Sequence, residues 1–255
     1  MNNSLPNPKQ FTVMKSSLSS AHRNMNNATK NYDLEKIHNT FKRAIKKVDR
    51  KTLVQKGNEL INYHFYRSTP YPGDAEDLFG WSPKDQSETI HLVDNVGKVK
   101  TIAIRRSGDI KWKTFGSKKY CPYDIKDDYV FLFIGMAELV IMKMLGLSYV
   151  MIQADGMVKH LPYELKSIAA NKVIIILQDN DESFKNIVPE IVNFFDSSEV
   201  ITIDFEEVLG RNLKKGYDFR DFCNEIKDAK KVMNLIEDQI IYKQEKLYAR
   251  ASKES

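Results

Sequence analysis

The sequence is poor in cysteine and has no long apolar run. Its 255 residues include two cysteines, Cys121 and Cys223, which are too few for a disulfide framework and lack the paired spacing of zinc ligands. Polar residues interrupt every apolar stretch well before the roughly 20 residues that a membrane span needs. The start, MNNSLPNPKQ, lacks the apolar core of a secretory signal. We therefore expect a cytoplasmic protein with reduced thiols and no membrane partner.

Several sequence motifs of enzymes are missing as well. The chain has no glycine-rich Walker loop, which argues against ATP hydrolysis, and no Gly-x-Ser-x-Gly nucleophile motif. His91 and His160 lack partners at metal-ligand spacing, which favours ordinary surface or core histidines. What remains is an ordinary globular composition, 42% hydrophobic and 29% charged, that can bury a proper core.

The first half of the chain divides into a tail and a mixed region. Residues 1–30 are rich in Asn, Ser and Lys and predict a mobile tail. Residues 31–127 begin with helical periodicity and continue with short segments of period two. They therefore predict a helical part, with a second helical stretch near 53–63, followed by a small antiparallel β unit. The predicted strands of that unit are 89–93, 99–106 and 110–115.

The second half predicts an α/β domain over residues 128–224. The predicted strands are 129–134, 149–152, 173–177 and 200–203, and the predicted helices are 137–145, 161–170 and 184–195. Strands that alternate with helices imply right-handed crossovers and a mostly parallel sheet flanked by helices. Residues 225–255 predict a C-terminal helix, and one side of the helical pattern that leads into it carries Val232, Leu235, Ile236, Ile240 and Ile241.

An acidic cluster follows the most apolar of the predicted strands. Val173–Leu177 gives way to Gln178-Asp179-Asn180-Asp181-Glu182. Ligands of parallel sheets bind beyond the carboxyl ends of the strands, and two neighbouring carboxylates repel unless they are protonated or bridged by a cation. Asp179 and Asp181 are therefore predicted ligands of Mg²⁺, with Mn²⁺ as an alternative. The competing interpretation is that one of these aspartates only caps the following helix.

Three separated motifs resemble the Toprim domain of topoisomerases and primases, most closely its primase branch. Gly135 and Glu138 match the glycine and the later acidic position of the first motif, and Gly146 matches the glycine before the next strand. Asp179–Glu182 matches the second motif, and Lys215–Phe222 is similar to the Lys-Asp-x-Asn-Asp segment that closes many such domains. The resemblance covers about residues 128–224.

One position departs from this resemblance. Ile134 stands where the family has a glutamate, which is implied to act as a general acid/base or to organise the metal, and an isoleucine can do neither. Glu138 lies about one helical turn beyond the glycine and is a candidate to reach the metal region. The alternative is that Glu138 only complements the dipole of its helix.

Basic residues concentrate just before the predicted parallel sheet. Residues 98–119 contain eight lysines and arginines and a single acid, Asp109. The predicted nucleic-acid contacts within this region are Arg105, Arg106, Lys111, Lys113, Lys118 and Lys119. Trp112 alternates with Lys111 and Lys113, which favours a core position over base stacking. Gly116–Tyr120 also resembles the Lys-Tyr stretch upstream of Toprim in replicative primases, but no zinc-ribbon cysteine pairs precede it.

These features lead to one main functional hypothesis and two alternatives. The first is a primase-like Toprim protein of a phage or mobile-element replication system, in which Asp179, Asp181 and Glu138 support metal-dependent nucleotidyl transfer on DNA. The expected DNA is single-stranded, with RNA left open, and the expected protein partner is a replicative helicase or polymerase. The second is a catalytically degenerate subunit that binds nucleic acid or acts as a scaffold in a replication or defence complex. The third is a nuclease similar to the overcoming-lysogenisation family, which usually carries an ATPase domain. The sequence leaves open whether the protein is an enzyme.

Overall fold

The computed structural model describes residues 33–48, 61–105 and 112–254. Leu34–Ser255 forms one compact unit. The predicted tail over 1–30, most of the predicted helical stretch near 53–63, and the two basic residues Arg106 and Lys111 lie outside the described residues.

The antiparallel unit, sheet A, has four strands where the sequence predicted three. Its strands, in spatial order, are β1 (Phe79–Ser82), β2 (Ser87–Val93), β3 (Val99–Arg105) and β4 (Trp112–Gly116). The sequence missed β1 because it is short and follows a turn-rich connection, where a 3₁₀ helix spans Pro72–Leu78. Position 80 of β1 favours glycine, because a Cβ there would come within 2.6 Å of the His91 Nε2 atom.

Helix α1 (Leu34–Ile45) packs on sheet A through polar contacts. His38 Nδ1 lies 2.8 Å from His91 Nδ1, and the Glu35 carboxylate accepts a hydrogen bond from the Val99 N–H at 2.9 Å. His91 is fully buried and also contacts the Thr89 hydroxyl at 2.7 Å. Burial lowers the pKa of His91 to about 3, and the nearby charges of His38 and Lys42 contribute. Of the surface or core positions that the sequence favoured for His91, the structure shows the core position.

The second sheet, sheet B, has the predicted parallel strands. Its spatial order is β5 (Tyr123–Asp124), β7 (Tyr149–Ile152), β6 (Tyr129–Ile134), β8 (Val173–Gln178) and β9 (Glu199–Asp204). Only β5, an edge strand that the sequence did not predict, is antiparallel to its neighbour. The central strands β6 and β8 pair in parallel, so the loops after Ile134 and after Gln178 open at the same edge of the sheet.

The helices around sheet B agree with the predictions in type but not always in length. The remaining helices are α2 (Tyr63–Ser68), α3 (Met136–Leu145), α4 (Leu165–Ile168), α5 (Glu182–Phe194), α6 (Phe205–Leu209), α7 (Phe219–Ile226) and α8 (Ala229–Glu254). The helix predicted over 161–170 is wrong in extent, because a 3₁₀ helix over Asp155–His160 precedes the short α4. Within the described ranges, no helix has the length and hydropathy of a bilayer span.

Two hydrophobic clusters cover the two faces of sheet B. Phe131 and Phe133 of β6 point into one cluster, and Val130 and Leu132 point into the other. The first cluster continues into sheet A and includes its Ile90. Strands buried on both faces explain the continuous apolar runs of the sequence.

Helix α8 buries only part of the apolar side that the sequence predicted. Val232, Ile236 and Ile240 are buried, but Ile241 is 55% exposed, so its placement with the buried positions was wrong. Ile241 directly follows Ile240, and neighbouring helical positions point about 100° apart. The core therefore covers Ile240 but not Ile241.

Candidate functional site

The turn after β6 places Glu138 over the carboxyl edge of sheet B. Gly135, the N-cap of α3, has φ +133, a conformation that side chains other than glycine rarely adopt. A Cβ on Gly135 would lie 2.1 Å from the Glu138 Oε2 atom. The carboxylate of Glu138 therefore folds back over this turn, and only a glycine leaves room for it.

The turn after β8 separates the roles of the two predicted metal ligands. Asp181 is the N-cap of α5, and its Oδ1 atom accepts hydrogen bonds from the Phe184 N–H and the Ser183 hydroxyl, each at 2.8 Å. Burial works to raise the pKa of Asp181, but these hydrogen bonds outweigh burial and hold the pKa below its usual value. The helix-capping interpretation is thus correct for Asp181, although capping does not prevent the same carboxylate from binding a cation.

Asp179 has a different environment. It is partly buried, and among the described residues no hydrogen bond or ion pair reaches its carboxylate. Burial raises the pKa of Asp179 to about 9. Smaller contributions to this rise come from the neighbouring acids Glu138, Asp218, Asp181 and Asp155. Protonation of Asp179 or a bound cation would relieve this repulsion.

Asn180 brings a third acidic segment to the site. Its N–H donates to the Tyr217 carbonyl at 2.8 Å, and its own carbonyl accepts from the Gly216 N–H at 2.7 Å. The side-chain amide of Asn180 also donates to the Leu213 carbonyl at 3.1 Å. These contacts hold the segment before α7 against the acidic turn, although 33 residues separate Asn180 from Leu213.

Asp218 and Arg220, which were not among the predicted site residues, lie in that third segment. Asp218 caps α7 through a 2.8 Å hydrogen bond from the Asp221 N–H, and it pairs with Arg220 at 3.0 Å. The Arg220 side chain is only 13% exposed and also lies 3.7 Å from Asp221. Asp218 falls in the Lys215–Phe222 segment that resembles the closing Toprim motif, and that resemblance is the signal that could have identified it.

The charges of this third segment act directly on Glu138. Burial raises the pKa of Glu138 to about 8, the negative charge of Asp218 raises it further, and Arg220 opposes the rise. Glu138, Asp179, Asp181 and Asp218 are called the carboxyl cluster below. They come from the first turn of α3, the turn after β8 and the segment before α7, which meet at one edge of sheet B.

A fourth loop borders the carboxyl cluster. The Ser183 hydroxyl oxygen also contacts the carboxylate of Asp155, which follows β7. Asp155 and Ser183 line a surface pocket of about 420 Å³ together with Gly156, Lys159, Asn186, Ile187 and Glu190. The pocket therefore opens beside the carboxyl cluster.

The carboxyl cluster suits Mg²⁺ better than a metal held entirely by protein ligands. In the described part of the chain, no three His, Cys, Asp or Glu side chains converge closely enough to hold an ion by themselves. Mg²⁺ commonly takes one or two carboxylates and completes its shell with water and phosphate oxygens. The carboxylate of Asp179, which has no hydrogen-bond or ion-pair partner among the residues that the structure describes, fits that requirement.

The predicted nucleic-acid contacts occupy two ends of sheet A. Arg105 stacks over the Trp112 ring at 5.3 Å, and Lys113 lies 4.8 Å from the centre of the Phe115 ring. Lys118 and Lys119 are exposed in the loop after β4, at the opposite end of the β3–β4 pair. Trp112 is partly buried against the core, as the sequence predicted.

Comparison with known proteins identifies the fold. No protein-family model matches the chain, and no curated protein matches it in sequence. Among solved structures, the zinc-binding and RNA polymerase domains of the Aquifex aeolicus primase align with a TM-score of 0.52 and 14% identity. The DnaG primase catalytic domain bound to ssDNA aligns with a TM-score of 0.50 and 12% identity. The chain has a primase-like Toprim fold.

The extent of this likeness is unequal between the two structures. Each alignment covers 80% of this chain, but it covers 59% of the Aquifex aeolicus chain and 79% of the DnaG chain. At such low sequence identity the likeness establishes the primase-like fold alone.

Proposed function

We propose that this chain is a primase-like Toprim protein of a phage or mobile-element replication system, which binds single-stranded nucleic acid and Mg²⁺ for nucleotidyl transfer. The observation that carries this proposal is the carboxyl cluster at the edge of sheet B. A protein gains little stability from four acids in one partly buried place. The arrangement is understandable if a divalent cation and phosphate oxygens complete it.

Asp179 and Asp181 are the proposed ligands of the ion, and Mn²⁺ would suit the same oxygens. When bound, the ion would polarise a phosphoryl oxygen and favour ionisation of an attacking hydroxyl. The hydrogen bonds to Asp181 fix the orientation of its carboxylate, and Asn180 holds Asp218 beside it. The proposed role of Glu138 is to exchange a proton at the edge of the site, because its carboxylate lies over Gly135, next to Ile134.

A specific observation favours a second candidate function. Ile134 is an aliphatic residue that packs against the hydrophobic cluster, at the position where the Toprim resemblance implies a catalytic glutamate. If Glu138 does not replace that glutamate, the chain is a nucleic-acid-binding or scaffolding subunit that acts beside a helicase or polymerase in a replication or defence complex.

One experiment separates the two candidates. The wild type and the Asp179→Asn/Asp181→Asn variant are given a single-stranded DNA template, ribo- and deoxyribonucleotides, and Mg²⁺ or Mn²⁺. For an enzyme we expect oligonucleotide products from the wild type and a loss of at least about 100-fold in the variant, because both proposed metal ligands are neutralised. Products are measured on denaturing gels.

Glu182→Gln is the matched control, since it removes an exposed carboxylate next to Asp181 without changing the carboxyl cluster. This variant should keep the activity of the wild type. Salt-sensitive DNA binding without any synthesis, unchanged by the double substitution, would establish the non-catalytic candidate instead.

A further inference from the structure

The loop after β4 is fastened to sheet B by one side chain. Gln153, the residue directly after β7, places its amide nitrogen 2.7 Å from the Tyr120 carbonyl and 3.1 Å from the Ser117 carbonyl. The same nitrogen lies 3.2 Å from the Thr101 hydroxyl of β3. These contacts hold Lys118 and Lys119 at the carboxyl edge of β7, the strand that borders β6.

The 3₁₀ helix over Asp155–His160 brings further basic groups to the same place. It begins two residues after Gln153 and ends in Lys159 and His160. Cys121, just beyond the Lys118–Lys119 loop, belongs to the same buried cluster as Val158 of this 3₁₀ helix. Desolvation lowers the pKa of His160, and the positive charges of Lys119 and Lys159 lower it further, as expected for three basic groups that lie close together.

These lysines have no acidic partner among the described residues, unlike lysines nearby. Lys100 pairs with Asp94 at 2.8 Å and Lys126 pairs with Asp124 at 3.8 Å. Lys119 and Lys159 form no such pair in the described part of the chain, and both are exposed. Two adjacent cations repel each other, so an anion between them would be held by both charges.

The position of Lys159 links these cations to the carboxyl cluster. Lys159 and Ser183 both line the 420 Å³ pocket, and the Ser183 hydroxyl contacts the carboxylates of Asp155 and Asp181. A ligand that touches Lys119 and Lys159 therefore lies beside the pocket and leads towards Asp181.

We propose that Lys119, Lys159 and His160, here named the bridging basic surface, bind successive phosphates of a single-stranded nucleic acid and direct that strand to the carboxyl cluster. Lys159 and His160 come from the parallel-sheet half of the fold, so the strand would contact both halves. A strand fits better than a free nucleotide, because Lys118 extends the cations along an open surface instead of enclosing them. This inference rests on the proposed function and adds the path of the strand.

The test measures binding of a fluorescein-labelled oligothymidylate to the full chain by anisotropy over a series of salt concentrations. We expect Lys119→Ala/Lys159→Ala to weaken binding roughly tenfold near 0.1 M salt, since two phosphate contacts are lost. The slope of log affinity against log salt should fall by about 1.4, that is about 0.7 for each lost contact on a single strand. The matched control is Lys230→Ala, an exposed lysine at the start of α8, which should change neither quantity.

Three outcomes are informative. A reduced slope in the double variant and in Lys159→Ala alone, with unchanged thermal unfolding, supports the bridging basic surface. Wild-type binding that depends on salt but is unaffected by the double substitution overturns this inference and leaves the proposed function intact. If the wild type binds no oligonucleotide at any salt concentration, the proposed function itself fails.

Discussion

Asp179 is the residue at which stability and the proposed chemistry conflict most directly. Its carboxylate has a pKa of about 9 because it is partly buried among other acids, and it has no hydrogen-bond donor among the described residues. Asp181, two residues later, has a lowered pKa because hydrogen bonds stabilise its charge. Within three residues, the fold thus disfavours the ionised form of one carboxylate, Asp179, and favours the ionised form of the other, Asp181.

Asp179→Asn is predicted to stabilise the protein at high pH. The folded protein holds the Asp179 proton up to about pH 9, whereas the unfolded chain loses it near pH 3.8, so the wild-type free energy of unfolding falls as pH rises between these values. Asparagine mimics the protonated form and removes this loss. We expect a gain of about 1–3 kcal/mol at pH 8 and a much smaller gain at pH 5. Urea unfolding of the wild type and the variant at the two pH values, without divalent cations, measures this difference in the free energy of unfolding.

Asp181→Ala provides the control of opposite sign. It removes the N-cap of α5 and should lower the free energy of unfolding by about 0.5–2 kcal/mol at pH 8. A destabilised Asp179→Asn variant at pH 8 would show that the aspartate is ionised and held by favourable contacts.

At the scale of elements, α5 is a helix that persists through an unfavourable residue. Pro189 is exposed in its interior, where it cannot donate to the carbonyl one turn earlier. The helix continues because Phe184 and Ile191 bury their side chains against sheet B, and Asp181 caps its first turn. Tertiary packing therefore overrides local propensity here.

Pro189→Ala should stabilise the protein by about 1–3 kcal/mol. The substitution restores one backbone hydrogen bond and relieves the clash of the proline ring, while the greater freedom of the unfolded chain offsets part of the gain. Thermal and urea unfolding followed by circular dichroism measure the change. Glu190→Ala, at the next exposed position, should alter stability by no more than about 0.5 kcal/mol. A less stable proline variant would indicate that the helix is bent to fit its neighbours.

At the scale of the whole unit, one hydrophobic cluster crosses the boundary between the two sheets. Ile90 of sheet A, Leu139 of α3 and Ile236 of α8 all belong to it. Gln153 adds polar contacts between the sheets. The predicted boundary at residue 128 marks a change from antiparallel to parallel strands, whereas the core is continuous across it.

A continuous core predicts that both sheets unfold in one transition. The two tryptophans, Trp81 and Trp112, both lie in sheet A, so their fluorescence reports on that sheet. Most of the described helical residues lie after residue 128, so far-UV circular dichroism reports mainly on the other half. We expect coincident midpoints in urea from the two signals.

Gln153→Ala serves as the companion variant and should lower both urea midpoints together. It removes contacts between the sheets but changes neither the tryptophans nor the helices that give the two signals. Two separate transitions in the wild type would show that the sheets are independent folding units.

Local physics in the sequence determined much of this protein. Apolar runs that alternate with helical periodicity predicted the parallel strands, and the shared direction of such strands placed the Gly135 turn and the acidic turn at one edge. The need for glycine at position 135 is also local, since the turn requires both a positive φ and space for the Glu138 carboxylate. These features depend on neighbours along the chain, which a sequence displays directly.

Only the tertiary structure decided which distant groups meet. Asn180 draws Asp218 and Arg220 to the site, Gln153 fastens the loop that carries Lys119 to the end of β7, and the end of the core leaves Ile241 exposed. Each of these outcomes depends on contacts between segments far apart in sequence, and hydrophobic periodicity carries no information about such pairings. The strand ends fix where a site can form, but the packing of the loops determines which charges it contains.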